Sequence, residues 1–180
     1  ASGRGILLEG EGSDFAGQYC LYGFADSYDS KPARFITIGN GFNFGGTYSG
    51  EAPVWQSTVV SNAYVVLNSN VMINEPTRGL YFFGGPTVEV PNGLSLSILN
   101  DVTVEGCLVK RGAGELALGN SSVSFANGGI RQEVPVAGKN ELFIEEGSLK
   151  VLRRDAVNGL KVRFGETAKW KIDFDSMDYD

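Results

Sequence analysis

The 180-residue sequence contains no histidine. That removes the usual general base, the commonest transition-metal ligand and every Ser-His or Cys-His nucleophile arrangement. Catalysis, if any, is left to carboxylates, Lys, Arg, Tyr or a Ser-Lys pair. Cysteine is nearly missing too, with Cys20 and Cys107 alone. They are too far apart for a CxxC metal or redox motif. In CLYGF and VEGCLV each reads as a small, buried, free thiol. A Cys20–Cys107 bridge is left open, because spacing alone does not decide it. No apolar run approaches the roughly 18 residues that a membrane-crossing helix needs. Basic clusters are absent beyond Lys110-Arg111 and Arg153-Arg154, and the formal net charge is −6. This argues against nucleic acid as a partner. Both basic pairs read as solvated turns or strand edges.

Glycine is what the chain has in excess. There are 25 glycines against 6 prolines, and the glycine share is roughly twice the usual one. The glycines are interleaved with Val, Ile, Leu and Phe, as in many short strands joined by tight turns. The length suffices for one substantial core or two small ones. No signal peptide pattern opens the sequence. Ala1-Ser2-Gly3, without methionine, reads as the start of a mature secreted segment or of a piece of a longer protein.

Short alternating runs recur from end to end: FITI at 35–38, YVVL at 64–67, LYFF at 80–83, VEV at 88–90, LSLSI at 94–98, VTV at 102–104, LAL at 116–118, ELFI at 141–144, LKV at 149–151 and KVRF at 161–164. Period-two alternation sends one set of side chains inward and the other outward. The longest stretch free of Gly and Pro, 54–75, is rich in β-branched residues, Asn and Ser, which disfavours helix. One short helical turn is expected around 152–157, ended by Asn158-Gly159. Between residues 94 and 125 an apolar strand centre arrives about every seven residues. Three strands per turn would then make a coil of roughly 20 to 25 residues, the range of solenoid repeats. Glycine and asparagine would occupy the corners, where φ > 0 is needed.

Two patterns repeat within the chain. ILLEGEGSDFAG at 6–17 and LALGNSSVSFANG at 116–128 run alike, with FNFGGTYSG at 42–50 a weaker echo. A glycine also releases the chain into a strand at Gly114-Glu115-Leu116-Ala117-Leu118, at Gly147-Ser148-Leu149-Lys150-Val151 and, loosely, at Gly93-Leu94-Ser95-Leu96. The stretch LVKRGAGELAL at 108–118 resembles the opening of the autotransporter-associated β-strand repeat, which reads L-x-K-x-G-x-G-x-L-x-L. Ser124-Phe125-Ala126-Asn127-Gly128-Gly129 stands where that family has a turn, and Gly147 to Val151 stands for its closing G-x-L-x-V. The resemblance covers 108–172. It departs from the family in a longer spacer, with 135–140 inserted, and in Phe-Ala for the turn's Tyr-Thr. The resemblance implies a right-handed parallel β-helix in an extracellular, repeat-built bacterial protein, serving as scaffold and carrying no catalytic residues.

Several groups are weighed as sites. Asp101, Thr103 and Glu105 are expected on the outward face opposite Val102 and Val104, with Lys110 and Arg111 nearby. Such a set could do acid–base work or hold calcium, though any wet strand face looks the same. Trp55, Tyr48 and Tyr64 are the candidate glycan contacts, as aromatic rings in a loop-like region. The tail at 173–180 carries four aspartates without an EF-hand's Gly and terminal Glu. Gly84-Gly85-Pro86 and Gly112-Ala113-Gly114 lack the helix and Lys-Ser/Thr of a phosphate loop and read as corners.

The expectation is therefore an all-β chain, a right-handed parallel β-solenoid of about eight short coils over 1–180. The alternative is an N-terminal β-sandwich followed by solenoid coils, with a sub-boundary near 84–93. The expected role is a non-catalytic scaffold or stalk of a secreted or surface-attached bacterial protein, adhesin-like. A polysaccharide-binding or polysaccharide-degrading module on the same fold is the rival. No cofactor or metal is expected. The expected partners are a cell-surface glycan or protein and further coils of a longer parent chain.

Overall fold

The computed structural model describes residues 6–10, 15–23, 35–39, 47–51, 57–75, 77–100, 102–119, 141–152, 156–157 and 161–172. Among them the chain is all-β, with no helix, and every strand pairing is parallel.

The strands lie on three faces. The first holds β2 (Tyr19–Tyr22), β4 (Thr58–Ser61), β7 (Leu80–Gly84) and the first half of β10 (Val102–Arg111). The second holds β1 (Ile6–Leu8), β3 (Phe35–Ile38), β5 (Tyr64–Leu67), β8 (Thr87–Glu89), the second half of β10, β12 (Glu141–Ile144) and β14 (Lys161–Phe164). The third holds β6 (Val71–Ile73), β9 (Ser95–Ile98), β11 (Glu115–Leu118), β13 (Ser148–Val151) and β15 (Lys169–Ile172). The chain visits these faces in the same order, from β4 to β5 to β6, then from β7 to β8 to β9, then along β10 to β11. Each circuit lands in register on the one before, with Thr58, Leu80 and Val102 side by side. Circuit-to-circuit hydrogen bonds join residues 22 apart at Gly79–Ser57 and 23 apart at Gly85–Asn62. These circuits have the solenoid-like period that the strand spacing predicts, while the circuits that pair β1 with β3, β3 with β5, β2 with β4, β10 with β12 and β11 with β13 are longer.

Alternation within each strand builds the core. Leu21, Val60, Phe82 and Val104 form an inward ladder on the first face. Val71, Leu96, Leu116 and Leu149 form one on the third face, and Ile73, Ile98, Leu118 and Val151 form another. Both third-face ladders continue in register to Trp170 and Ile172, which are 47% and 48% exposed on the last described circuit. Stacking like side chains removes apolar surface from water at about 25 cal/mol per Å².

One corner column shows why glycine is frequent. Asn62, Gly84 and Gly106 stand one above another with φ of 48°, 77° and 102°. These are left-handed conformations that only Gly, and less readily Asn, adopts at low cost. A Cβ on Gly106 would also collide with the Gly84 carbonyl oxygen. The bend at Gly106 turns the chain from the first face to the second without ending the strand. The VTV run is thus the start of the ten-residue β10.

FITI, YVVL, ELFI and KVRF are strands with the bounds read from the sequence. No antiparallel pairing of the kind a sandwich requires occurs among the described residues. The sheets run unbroken past 84–93, since β8 pairs with both β5 and β10 and β9 with both β6 and β11. Ile6–Leu8 lies on the second face and Glu115–Leu118 on the third, so the two ILL- and LAL-type copies are not structurally equivalent. The G-x-L-x-V pattern fares differently, because Leu96, Leu116 and Leu149 share one ladder. Of the expected helical turn, Ala156 and Val157 form a turn, while 153–155 lie outside the described residues. So do the family-type turn at 124–129, the spacer at 135–140 and the acidic tail at 173–180.

Candidate functional site

Of the three aromatic candidates, Trp55 lies outside the described residues. Tyr48 is only 8% exposed. Its ring lies 5.7 Å from the guanidinium carbon of Arg78, which also faces the Phe15 ring at 5.8 Å and the Tyr19 ring at 5.4 Å. Arg78 is itself 1% exposed and donates to the carbonyls of Gly17 and Phe15. A buried cation requires such compensation. Burial still draws Arg78 below its ordinary basicity, opposed by Tyr19, Glu75 and Tyr48. Tyr48 is thus a wall of an internal cation cage. The partners of Arg78 lie 61 and 63 residues away in sequence, so no local pattern announces them.

Tyr64 is half-buried and donates to Glu89 one circuit on. Burial raises its pKa, and the Glu89 carboxylate raises it further. Glu89 stands in register with Arg111, whose guanidinium donates to Glu145 of the next circuit. Nearby, Arg163 lies 3.7 Å over the Phe143 ring and, with Lys161, pairs with Glu141. The Arg163 hydrogen bond holds the Glu141 carboxyl below its ordinary value. The second outer face is therefore a row of matched charges. Exposed pairs of this kind contribute about 0–1 kcal/mol each.

The carboxylate–cation grouping expected around β10 is not assembled. Asp101 lies outside the described residues. Thr103 is on the outward side but only 4% exposed. Glu105 accepts the Tyr81 hydroxyl. Lys110 is not solvated: it is 0% exposed and points inward with Leu108. It replaces an apolar rung in the ladder Val65, Val88, Lys110, Ile144, Phe164. Its Nζ donates to the carbonyls of Gly112 and Gly114 at 2.5 Å and of Glu146 at 2.8 Å. Burial pushes Lys110 down to about 8, against the pull of Glu146 and Glu115. Arg111, 48% exposed in its side chain, is the half of the pair that matches the sequence reading. The signal for Lys110 was present: in LVKR, strand alternation puts Lys110 on the face of Leu108 and Arg111 on the face of Val109.

The cysteines are free, as expected, but neither is buried. Cys20 is exposed and Cys107 half-buried. They sit on different faces, in register with Val59 and Glu141 respectively. Each falls on the outward half of its strand's alternation, which composition alone does not reveal.

The sequence reading missed an aromatic patch on the first outer face. Tyr22, Ser61, Phe83 and Glu105 form one outward row across four circuits, and Cys20, Val59, Tyr81 and Thr103 form the next. Tyr22 is 50% exposed and Phe83 41%. The rings of Tyr81 and Phe83 are 6.0 Å apart and tilted by 34°. Tyr22 and Ser61 are neighbours in space although the chain between their strands is far longer than one ordinary circuit, so the repeat period does not reveal the row. Among the described residues no group of three or more His, Cys, Asp or Glu could hold a metal ion. No protein-family model, no curated protein and no solved structure matches this chain.

Proposed function

We propose that the chain is a length of right-handed parallel β-helix, of about eight short coils, acting as a scaffold or stalk segment in a secreted or surface-attached bacterial protein, adhesin-like and without catalysis of its own. The observation that carries this reading is the use made of the polar groups. Among the described residues the two most deeply buried cations, Lys110 and Arg78, are bonded to backbone carbonyls of the chain itself. The outward charges of the second face are paired circuit to circuit. Groups that a hydrolase or lyase would hold ready for substrate are thus engaged in stacking the chain on itself. The likeness of 108–172 to the autotransporter-associated repeat supports the same assignment and its extracellular setting. The rival, a polysaccharide-degrading module, predicts turnover. Incubation with bacterial, plant and host polysaccharides is expected to yield no new reducing ends and no unsaturated products. Turnover lost in Glu105→Gln or Arg111→Ala would overturn the scaffold reading. Protease shaving of intact cells tests the setting: the chain should be cleaved from outside, and protection until lysis would overturn it.

A further inference from the structure

On the first outer face Tyr81 joins two circuits through its bond to Glu105, but the Tyr22 and Phe83 rings are not part of the inner ladder. Ladder contacts are made by Leu21, Val60, Phe82 and Val104 on the inner side. Tyr22 and Phe83 point the other way and keep 50% and 41% of their surface in water. Large rings left exposed on a wet strand face carry a cost in solubility, and a contiguous patch of them marks a contact surface.

We infer that this face binds an uncharged oligosaccharide chain, a role beyond the scaffold reading. Three features select that ligand class. The first is charge. Among the described outward residues of this face, Glu105 is the only ionised group, and no Lys or Arg is present. A lone carboxylate disfavours phosphate, sulfate and uronate ligands. The second is size. Tyr22 and Phe83 are two strand spacings apart, which is about 10 Å. Tyr81 adds one alternate position along the strand, about 7 Å. A stable protein partner would cover about 800 Å² of this chain, more than three part-exposed rings present. The third is the mixture of groups. A pyranose presents a flat C–H face and a rim of hydroxyls. The rings of Tyr22, Tyr81 and Phe83 offer apolar faces to stack on, in the amphipathic role aromatic side chains take at contact surfaces. Glu105 accepts the Tyr81 hydroxyl through Oε2, and the exposed Asn62 amide donates to Ser61; the second Glu105 oxygen and the second Asn62 amide N–H would meet hydroxyls at the edge. Tyr22 and Phe83 are offset across the strands while Tyr81 and Phe83 share β7, so a bound chain reaching all three rings would run obliquely across the strands.

The test is calorimetric titration of the whole chain with cellohexaose, xylohexaose and maltohexaose, with a polygalacturonate oligomer as the charged comparator. Saturable binding of at least one neutral hexaose is expected. Tyr22→Ala and Phe83→Ala should each weaken it by about threefold to tenfold, with Phe83→Tyr retaining it. Trp170→Ala, which removes an exposed ring on the third face, should leave it unchanged. Unaltered thermal melting of each variant separates lost binding from lost folding. The inference is overturned if no neutral hexaose binds, if only the charged oligomer binds, or if binding survives in the Tyr22→Ala, Phe83→Ala double variant. Those outcomes leave the scaffold reading intact, because that reading fails on turnover rather than on binding.

Discussion

The Nζ of Lys110 lies 2.8 Å from the carbonyl oxygen of Glu146, a residue 36 positions later in the chain. The same ammonium holds the carbonyls of Gly112 and Gly114 in its own circuit. One side chain thus ties the corner leaving β10 to the corner leaving β12. The room for it comes from Gly147, with φ of 76°, where a Cβ would collide with Nζ.

Lys110→Met should fold but lose about 2 kcal/mol, because Met fills the apolar rung while the carbonyls of two corners lose their donor. Urea denaturation measures it. An unchanged midpoint would show that those carbonyls find other donors.

The same residue sets a pH dependence. Its folded value of about 8 is lower than that of a lysine in the unfolded chain, about 10.4. Between these values the unfolded state binds more protons, so stability rises with pH. Wild type should therefore gain on Lys110→Met between pH 8 and about pH 10, by on the order of 2 kcal/mol. Taking the difference between the two proteins removes the tyrosines that titrate in the same region. A wild-type curve that falls relative to the variant would mean the carbonyl cage outweighs burial.

Gly106→Ala meets both a φ of 102° and a blocked Cβ position. It should cost about 3 kcal/mol. Asn62→Gly, in the same corner column, should stay within about 1 kcal/mol, because glycine accepts the φ of 48° and loses the bond from the Gly85 N–H and a long 3.5 Å bond to Ser61. Thermal melts of the two variants should therefore separate clearly.

Arg78→Lys keeps the charge but not the planar group that three rings and two carbonyls enclose. A loss of about 2 kcal/mol is expected. Hydrogen exchange should quicken at the Tyr19 and Ser49 amides, which bond to Ser57 and Ala16. Exchange unchanged at both would mean that these segments are held without the cage.

The strands were the legible part of the sequence. Glu141–Ile144 and Lys161–Phe164 could be read because alternation and flanking turn residues are local properties. The common ladder of Leu116 and Leu149 is legible through the repeated G-x-L pattern, with Leu96 one residue further from its Gly93. The sites were not. Lys110 was read by residue type, as a solvated charge, although alternation had already placed it with Leu108. Tyr48 was read as a loop aromatic, yet its environment is set by Arg78, 30 residues on and one circuit away. Tyr22, Tyr81 and Phe83 come together only through a register that the long connection from β2 to β4 disguises. Local alternation therefore reports which way a side chain points, while circuit length decides what it meets.

Parallel stacking of circuits also has a mechanical consequence. The hydrogen bonds between neighbouring strands lie along the stacking direction, so tension applied along it loads one circuit's bonds at a time. The chain should open by peeling from an end. Each released ordinary circuit, about 22 residues as in the Ser57–Gly79 offset, would add roughly 75 Å of slack at full extension. Under load the ordinary circuits would lengthen in similar steps, the longer circuits between β2 and β4 and between β11 and β13 would give larger ones, and circuits not yet peeled would keep their register.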